Sequence, residues 1–439
     1  MCHSKAMTLR EPPLADGFPL VGSAPALLRD TEGFLYSQYA KHGPCFRVRA
    51  LNREFVVLGG PAAAEAMARN AGEFDAWTMW ENVIREFGGR QVLTMLEGEA
   101  HRRYRAAARA GFAKTRVQEN IPLVLSLAHE ALEAVPYGRS FVVGEFAQQL
   151  VADCVGMLTL GRRPGDSLRD FITYWHTQLA VNIAGTRPTS ALTRQNYLEA
   201  KARARAAAEE LLALDADSLP SPYVRDLRAF MRENPDLLNE EELLFMMLLP
   251  YVAGLDTVVN VLTLSLYHAY RDPQLYARLR AEIDPLLAEG LPAGRLRELK
   301  VLHALVLEVM RYHPIANMVT RHARQEFEFQ GCRIRQGEQL MMALMASQRD
   351  PALFRRPERF DVDRFLAPRN EHRQKNALNP YGAGAHTCLG AGMAETLLAT
   401  LISAIVGTDG LRLFPPDYRM RPFHASQLAP DPGLRLVRL

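Results

Sequence analysis

The sequence has few cysteines, and they are far apart. Zinc modules, disulfide frameworks and iron–sulfur clusters need paired or closely spaced cysteines, such as CxxC. None of these spacings occurs, so we expect none of the three, and reduced thiols of an intracellular protein are the default. The five cysteines in 439 residues are Cys2, Cys45, Cys154, Cys332 and Cys388.

Lysine is also scarce, and charge of either sign is not concentrated. Only six of the 52 basic residues are lysine, and 49 acidic residues leave a formal net charge of +3. The arginines are spread along the chain without a basic stripe or motif, so we expect no nucleic-acid partner. The first residues lack the apolar run of a signal peptide. The longest strongly apolar stretch, 243–254, is shorter than the roughly 20 residues of a membrane span and contains Pro250. We therefore expect a soluble, cytoplasmic protein.

Helical periodicity dominates the middle of the chain, from Pro61 to about Arg311. Apolar residues recur at three- and four-residue spacing, which predicts helices, in the segments 117–135, 146–160, 197–214 and 239–270. Strand-like runs lie on either side of this region, at 45–51, 53–60, 327–334 and 339–344. No repeat or low-complexity linker is visible. We predict a turn-rich segment over residues 1–25 and one large, mainly α domain with a minor β region over 26–439, and residues 71–96 fit either a functional loop or a plain connection.

A glycine-rich loop, YGAGAHTCLG, ends on Cys388 and Gly390 and precedes a helical stretch. Gly382 and Gly384 allow backbone conformations and close approaches that a Cβ would forbid. Free N–H groups and the dipole at a helix N-terminus favour a thiolate. A flat ligand could therefore lie on the loop while Cys388 donates its sulfur to a metal. The residues alone allow a buried structural cysteine equally well.

The segment from Pro250 to Thr257 carries three unfavourable features within an apolar helix pattern. Proline costs about 3 kcal/mol and glycine about 1 kcal/mol in a helix interior, and Asp256 brings a charge into apolar surroundings. This combination predicts a kink with a function. The structural alternative is a kinked core helix in which Asp256 pairs with an arginine.

Two pairs of polar side chains lie one helical turn apart. Glu308 and Arg311 can form an i,i+3 ion pair, although the same ExxR spacing recurs at residues 99–102. His101 and Arg105 share one helix face and are suited to an anionic group. A solvated surface is the alternative for this arginine-rich helix.

Together, these motifs resemble the cytochrome P-450 family of haem-thiolate monooxygenases, over about residues 13–430 and in the family's order. The cysteine loop matches the haem-binding signature, except that Tyr381 stands where phenylalanine is usual. The resemblance implies a single triangular, mainly α domain with a minor β region, with haem b (iron protoporphyrin IX) between a distal kinked helix and a proximal Cys loop. It also implies a role in secondary metabolism.

The resemblance assigns a role to each motif. Cys388 would be the axial thiolate on iron, within a loop that includes Tyr381, Gly382 and Gly390. Ala253 and Gly254 would open a groove for O2, and Asp256 and Thr257 would handle proton delivery. The propionate contacts would be His101, Arg105, Arg321 and His386. The buried structural network would be Glu308, Arg311 and Arg364.

The implied reaction inserts one O2 oxygen into a C–H or C=C bond of a largely apolar small molecule, and the second oxygen leaves as water. No flavin, nicotinamide or iron–sulfur motif is visible, so electrons would come from a ferredoxin or flavodoxin with its reductase. A basic docking face would include Arg102, Arg103, Arg109, Lys114, Arg116, Arg373 and Lys375. The alternatives are a haem-thiolate peroxygenase, against which the intact Asp256–Thr257 pair argues, and a non-catalytic haem-based ligand binder or sensor.

The resemblance places the substrate pocket in segments that the motifs do not cover. Those segments are 77–87, 171–193, 246–257, 315–319 and 423–428. They are apolar with scattered polar points, namely Asn82, Asn182, Asn317 and Gln427.

Overall fold

The computed structural model describes residues 9–69, 72–215, 221–315, 318–420, 431 and 433–439. It is mostly helical with a small β part, as predicted. The chain divides into two compact units. Unit one comprises Met1–Met79, Arg311–Cys388 and His424–Ser426, and unit two comprises Trp80–Met310, Leu389–Phe423 and Gln427–Leu439.

Unit one is built on a five-stranded sheet with the order β1-β2-β8-β5-β3. Its strands are β1 (Cys45–Ala50), β2 (Arg53–Gly59), β3 (Phe74–Asp75), β5 (Val319–Ala323) and β8 (Gln339–Ala343). The strand-like runs predicted at 45–51 and 53–60 are confirmed as β1 and β2, which pair antiparallel, and β2 pairs in parallel with β8. A two-stranded ribbon of β6 (Phe327–Phe329) and β7 (Cys332–Ile334) lies in the same unit.

The two faces of the unit-one sheet bury different clusters, because side chains alternate along a strand. Val56 and Leu58 of β2 pack with Met67 on one side. Val57, between them, packs with Phe34 and Leu35 on the other. These contacts hold α1 (Ala24–His42) and α2 (Gly60–Arg69) to the sheet.

Unit two is helical, with a three-stranded sheet of order β4-β10-β9. The strands are β4 (Ser140–Val142), β9 (Leu411–Phe414) and β10 (Arg435–Arg438). Its helices include α4 (Gly98–Arg109), α5 (Lys114–Gln118), α6 (Ile121–Glu133), α7 (Val143–Thr159), α8 (Ser167–Gln178), α9 (Gln195–Ala213), α10 (Pro222–Glu233), α11 (Glu240–Gly254), α12 (Thr257–Arg271), α13 (Pro273–Ala288) and α15 (Ala391–Val406). Two helices contain the points where the chain passes between units, α3 (Trp77–Phe87) and α14 (Lys300–Tyr312).

Each segment with helical periodicity is helical in the structure, with shifted or divided bounds. Segment 117–135 is two helices, α5 and α6, because Asn120 interrupts the pattern ahead of the proline in the first turn of α6. Segment 239–270 is also two, α11 and α12. Segment 71–96, left open by its sequence, contains β3 and α3.

Among the described residues, two apolar helical stretches are long enough to cross a membrane, Glu240–Arg271 and Gly384–Val406. The first is longer than the apolar run visible in the sequence, because α11 and α12 continue one another around a short break. Length and hydropathy are weak evidence for a span here, because 78% of the first window and 56% of the second are buried within the protein.

Candidate active site

The predicted kink after Pro250 is a break between α11 and α12, at residues 255–256. Proline has no N–H to donate to the carbonyl four residues earlier, which is that of Met246. The Tyr223 hydroxyl donates to that carbonyl at 2.9 Å instead. Burial raises the pKa of Tyr223 well above its usual range, so the phenol keeps its proton. The proline is therefore accommodated by a partner from α10.

A short strip beside the break is exposed in this mostly buried helix pair. Ala253 and Thr257, four residues apart, are exposed, whereas Gly254, Leu255 and Val258 are buried. Residues at this spacing share one helix face. The Thr257 hydroxyl donates to the carbonyl of Ala253 at 2.6 Å, so it is held against the helix axis within the strip.

Within the part of the chain that the structure describes, Asp256 pairs with no arginine, which the structural alternative required. Its Oδ1 lies 2.8 Å from Nε2 of His176, and its Oδ2 accepts from Nε1 of Trp175 at 3.1 Å. Although Asp256 occupies the N-cap position of α12, its side chain makes no capping bond. The carboxylate is turned towards α8.

Gly254 has no strict steric reason to be glycine within unit two. A Cβ there would meet only Cγ2 of Val155, at an ordinary contact distance of 3.5 Å. Its position as the last residue of α11 fits a role in loosening the helix at the break.

The loop before Cys388 is formed by two left-handed glycines, Gly382 (φ +77°) and Gly384 (φ +74°). A Cβ on Gly384 would lie 2.2 Å from the carbonyl oxygen of Met67, so only glycine fits beside α2. The backbone N–H of Cys388 donates to the carbonyl of Tyr381 at 2.8 Å and closes the loop. Cys388 lies three residues before α15 begins at Ala391.

Cys388 differs from the other described cysteines in its exposure. Cys45, Cys154 and Cys332 are buried, whereas Cys388 is exposed. Burial raises the pKa of the Cys45 and Cys154 thiols, so those two remain protonated. The alternative of a buried structural cysteine therefore fails for Cys388. An exposed sulfur in a glycine-shaped loop just ahead of a helix fits a thiolate ligand for a flat metal complex.

The remaining candidates for anion contacts occupy both units. In unit two, His101 is buried in α4 and Arg105 is half-buried one turn later, so the solvated-surface alternative fails for His101. In unit one, Arg321 is buried in β5, where Nη1 donates to the carbonyl of Thr320 at 2.8 Å, and His386 is half-buried in the cysteine loop.

The two arginines of the predicted structural network share a backbone partner, the carbonyl of Arg359. Glu308, Arg311 and Arg364 are fully buried. In unit one, Arg311 donates to the carbonyls of Gln348, Pro357 and Arg359. Arg364 donates to the Arg359 carbonyl as well, at 2.9 Å, and forms an ion pair of 2.7 Å with Glu371. Backbone carbonyls and Glu371 are thus among the partners of the two guanidinium groups, and the part of Glu308 in the network stays a prediction.

Sequence reasoning missed four side chains near these positions. Glu371 follows Arg364 by seven residues, and Trp175 and His176 lie in a segment considered only for substrate contacts. Glu242, fully buried at the start of α11, accepts from the backbone N–H groups of Arg90, Gln91 and Asn239. The Asn-x-x-Glu pattern at 239–242, a capping box, was a signal that could have identified it.

The cations proposed as a docking face are only partly available. Arg102 pairs with Glu99, Arg103 donates to Asn234, and Arg116 is half-buried and donates to the Leu158 carbonyl. Arg109 and Lys114 are exposed in unit two, as are Arg373 and Lys375 in unit one, where Lys375 pairs with Glu65.

Comparisons with known proteins agree with these features. The Cytochrome P450 family model matches residues 12–408. The chain is 26% identical to cyclooctat-9-en-7-ol 5-monooxygenase of Streptomyces melanosporofaciens, over 90% of this chain and 88% of that protein. It is 26% identical to abscisic acid 8'-hydroxylase 2 of Oryza sativa subsp. japonica, over 92% of this chain and 81% of that protein.

A solved structure supports the same fold. The retinoic acid-bound cyanobacterial CYP120A1 superposes with a TM-score of 0.82 at 22% identity, covering 98% of this chain and 99% of that chain. The family match spans most of the chain and includes the helix break and the cysteine loop. The chain therefore belongs to the cytochrome P450 family and is a P450-type monooxygenase.

Proposed function

We propose that this protein uses haem b, held through Cys388, to insert one oxygen atom of O2 into a C–H or C=C bond of a largely apolar small molecule. The family implies haem with a cysteine thiolate ligand. The observation that carries the assignment is that Cys388 is the exposed one among the four described cysteines, at the end of the Gly382–Gly384 loop. When bound, a thiolate-ligated haem supplies O2 activation, because the sulfur donates electron density that favours O–O cleavage.

Several residues of the chain fit the haem's charge and shape. The exposed Ala253–Thr257 strip offers a flat group a surface free of bulky side chains on the distal helix. Four side chains with N–H donors suit the two carboxylates of the haem, because charge-assisted bonds to carboxylate are the strong ones. These propionate contacts are His101, Arg105, Arg321 and His386.

Asp256 and Thr257 are proposed to hold and move the protons that the reaction consumes. Thr257 lies in the exposed strip with its hydroxyl fixed to the Ala253 carbonyl. Asp256 is a carboxylate next to it in the chain, with 13% of its side chain exposed. A carboxyl group can take a proton from one side and release it to another, and a positioned acid of this kind accelerates a proton-dependent step by about a hundredfold or more.

The substrate is proposed to be apolar because the segments that the family resemblance assigns to the pocket are largely apolar, and aromatic pairs pack the elements beside the break. Phe87 contacts Phe245 of α11 edge-on, and Phe171 stacks on Tyr251 at 4.8 Å. Of the predicted polar points, Asn82 is exposed, and Asn182 donates to Gln178. Asn317, Gln427 and the segment 423–428 lie outside the described residues. The relatives' names supply a first panel of carbon-rich probes: cyclooctat-9-en-7-ol, abscisic acid and retinoic acid.

Electrons are proposed to come from a separate acidic ferredoxin or flavodoxin with its reductase, in the cytoplasm. Arg109 and Lys114 are the exposed cations of unit two that suit such a partner. Charge reversal at both should slow reduction at low salt, and the difference should shrink at high salt. Reversal of Arg139, also exposed, is the matched control.

The oxygenase assignment is tested by counting product per electron. The panel is first screened for a shift of the haem Soret band, and the compound with the largest shift is then used as substrate. Thr257→Ala should release most of its electrons as peroxide, whereas Thr257→Ser, which keeps the hydroxyl, should stay near wild type. Equal coupling in Thr257→Ala and wild type would contradict the proton path. Product formation from peroxide alone at the electron-driven rate would favour the peroxygenase alternative, and panel binding without product under either condition would favour a sensor.

A further inference from the structure

The C-terminal end of α8 brings two adjacent donor side chains to one carboxylate. Trp175 and His176 contact different oxygens of Asp256, at 3.1 Å and 2.8 Å. Three side chains of three different chemical types thus meet at the break between α11 and α12.

Ring packing fixes this meeting from both directions. One turn earlier in α8, Phe171 stacks on Tyr251 of α11, with an interplanar angle of 20°. On its other side, Trp175 stacks on Trp80 of α3 at 6.2 Å and 10°. Offset aromatic pairs of this kind are directional as well as apolar. The indole N–H of Trp175 is therefore held in place, and it fixes Oδ2 of Asp256.

His176 differs from Trp175 in its access to water. Its side chain is 26% exposed, compared with 13% for Asp256. Imidazole is the side chain that exchanges protons with water in the neutral range. His176 therefore contacts Asp256 while about a quarter of its own side chain is open to solvent.

The neighbouring charges are committed to other pairs. Asp170 of α8 pairs with Arg203 of α9. Lys201 of α9 pairs with Glu86 of α3, and Arg205 of α9 pairs with Glu241 of α11. The titratable group that the structure places against His176 is Asp256.

We propose that His176 is the solvent-side member of the proton path: it holds Asp256 and supplies its protons. In this step the Nε2–H bond of the imidazolium breaks and an O–H bond forms at Oδ1 of Asp256, with no change in electron count. The neutral imidazole then takes a replacement proton from water. Trp175 only orients the carboxylate. The proposal rests on the proposed proton role of Asp256 and Thr257. His176 does not touch the reacting atoms itself and acts only through Asp256.

The first test needs no turnover. In the reduced, carbon monoxide-bound protein labelled with ¹⁵N-histidine, the His176 ring N–H should give a slowly exchanging downfield signal, because it is bonded to a carboxylate. The signal should be absent from His176→Gln and lost in Asp256→Leu. A signal that persists in Asp256→Leu, or no such signal in the wild type, would overturn the contact on which the proposal depends.

The second test separates proton supply from positioning. With the panel compound selected above, His176→Gln should lower product per electron at least about fivefold, and the pH dependence of coupling should become flat. Trp175→Phe keeps the ring on Trp80 but removes the N–H, so coupling should fall no more than about twofold, with the pH dependence retained. Wild-type coupling and pH dependence in His176→Gln would overturn the proposal. If His176→Gln behaves as wild type but Thr257→Ala is impaired, the proposed function stands and only the role of His176 fails. If Thr257→Ala is also unimpaired, the proton path through Asp256 and Thr257 fails.

Discussion

Two charged side chains in this molecule, Arg364 and Asp256, are satisfied by different kinds of partner. Arg364 in unit one is fully buried and bonds to backbone carbonyls and Glu371. Asp256 in unit two is partly exposed and bonds to two side chains, one of them titratable. Fixed backbone partners hold a charge in one state, whereas a histidine open to water allows a proton to pass. We therefore expect the kind of partner to distinguish a structural charge, the role proposed for Arg364, from one that handles protons, the role proposed for Asp256.

The largest expected effect on stability lies in the unit-one network. Arg364→Met would remove one of the two arginine partners of Glu371 and leave several buried carbonyls without their donor. Removing one partner of a buried ion pair costs about 3–5 kcal/mol. Urea unfolding should show this loss in the free energy of unfolding. Arg369 also pairs with Glu371 but is more exposed, so Arg369→Met should cost less and serves as the control. Equal costs would contradict the structural role of Arg364.

A pH effect of intermediate size is expected from His313, which lies in the same unit. Burial, with the cations Arg349 and Arg311, lowers the pKa of His313 from 6.5 to about 3. Between those pH values the unfolded chain binds a proton that the folded one does not, so stability falls as the pH falls. From pH 7 to pH 5 the loss is about 2 kcal/mol. Between pH 7 and pH 5 the free energy of unfolding should fall by about 2 kcal/mol less in His313→Gln than in the wild type. Parallel pH profiles of the two proteins would contradict the lowered pKa of His313.

A smaller effect is expected at the break itself. Tyr223→Phe removes the donor that serves the Met246 carbonyl and should cost about 1–2 kcal/mol. In a Pro250→Ala background the alanine N–H can donate to the Met246 carbonyl, so Tyr223→Phe should lower the free energy of unfolding by less. The double-mutant cycle by urea unfolding measures the coupling. Additive costs would show that Tyr223 does not compensate for the proline.

The smallest effect on stability is expected at Asp256. Asp256→Asn keeps the shape and part of the hydrogen bonding, so the free energy of unfolding should fall by about 1 kcal/mol or less. Product per electron should nevertheless fall severalfold, because an amide cannot carry the proton. A loss of stability as large as that of Arg364→Met would place Asp256 among the structural charges.

Local patterns in the sequence predicted much of the secondary structure and the shape of the cysteine loop. Alternation and helical spacing identified β1, β2 and most of the helices, and the glycines around Cys388 predicted a loop that a Cβ would not fit. The break near Asp256 followed from the cost of proline and glycine in a helix.

The hydrogen-bond partners of the residues at the break could not be predicted, because they come from distant positions in the sequence. Tyr223 is 23 residues from Met246, and His176 is 80 residues from Asp256. Neither pair has a spacing rule of the kind that relates neighbours on a helix. Neither the proton-delivery role implied for Asp256 nor the structural alternative of an arginine partner therefore pointed to His176 and Trp175, and the role of Glu371 was missed.

The most direct test of the account is the spectrum of the reduced protein under carbon monoxide. The wild type should show the Soret shift of a thiolate-ligated haem, as should Ala385→Ser, a change at an exposed position of the same loop. Cys388→Ser should lose the shift while retaining the far-ultraviolet circular dichroism of the folded protein. A thiolate-type shift that persists in Cys388→Ser would contradict the assignment of Cys388 as the iron ligand.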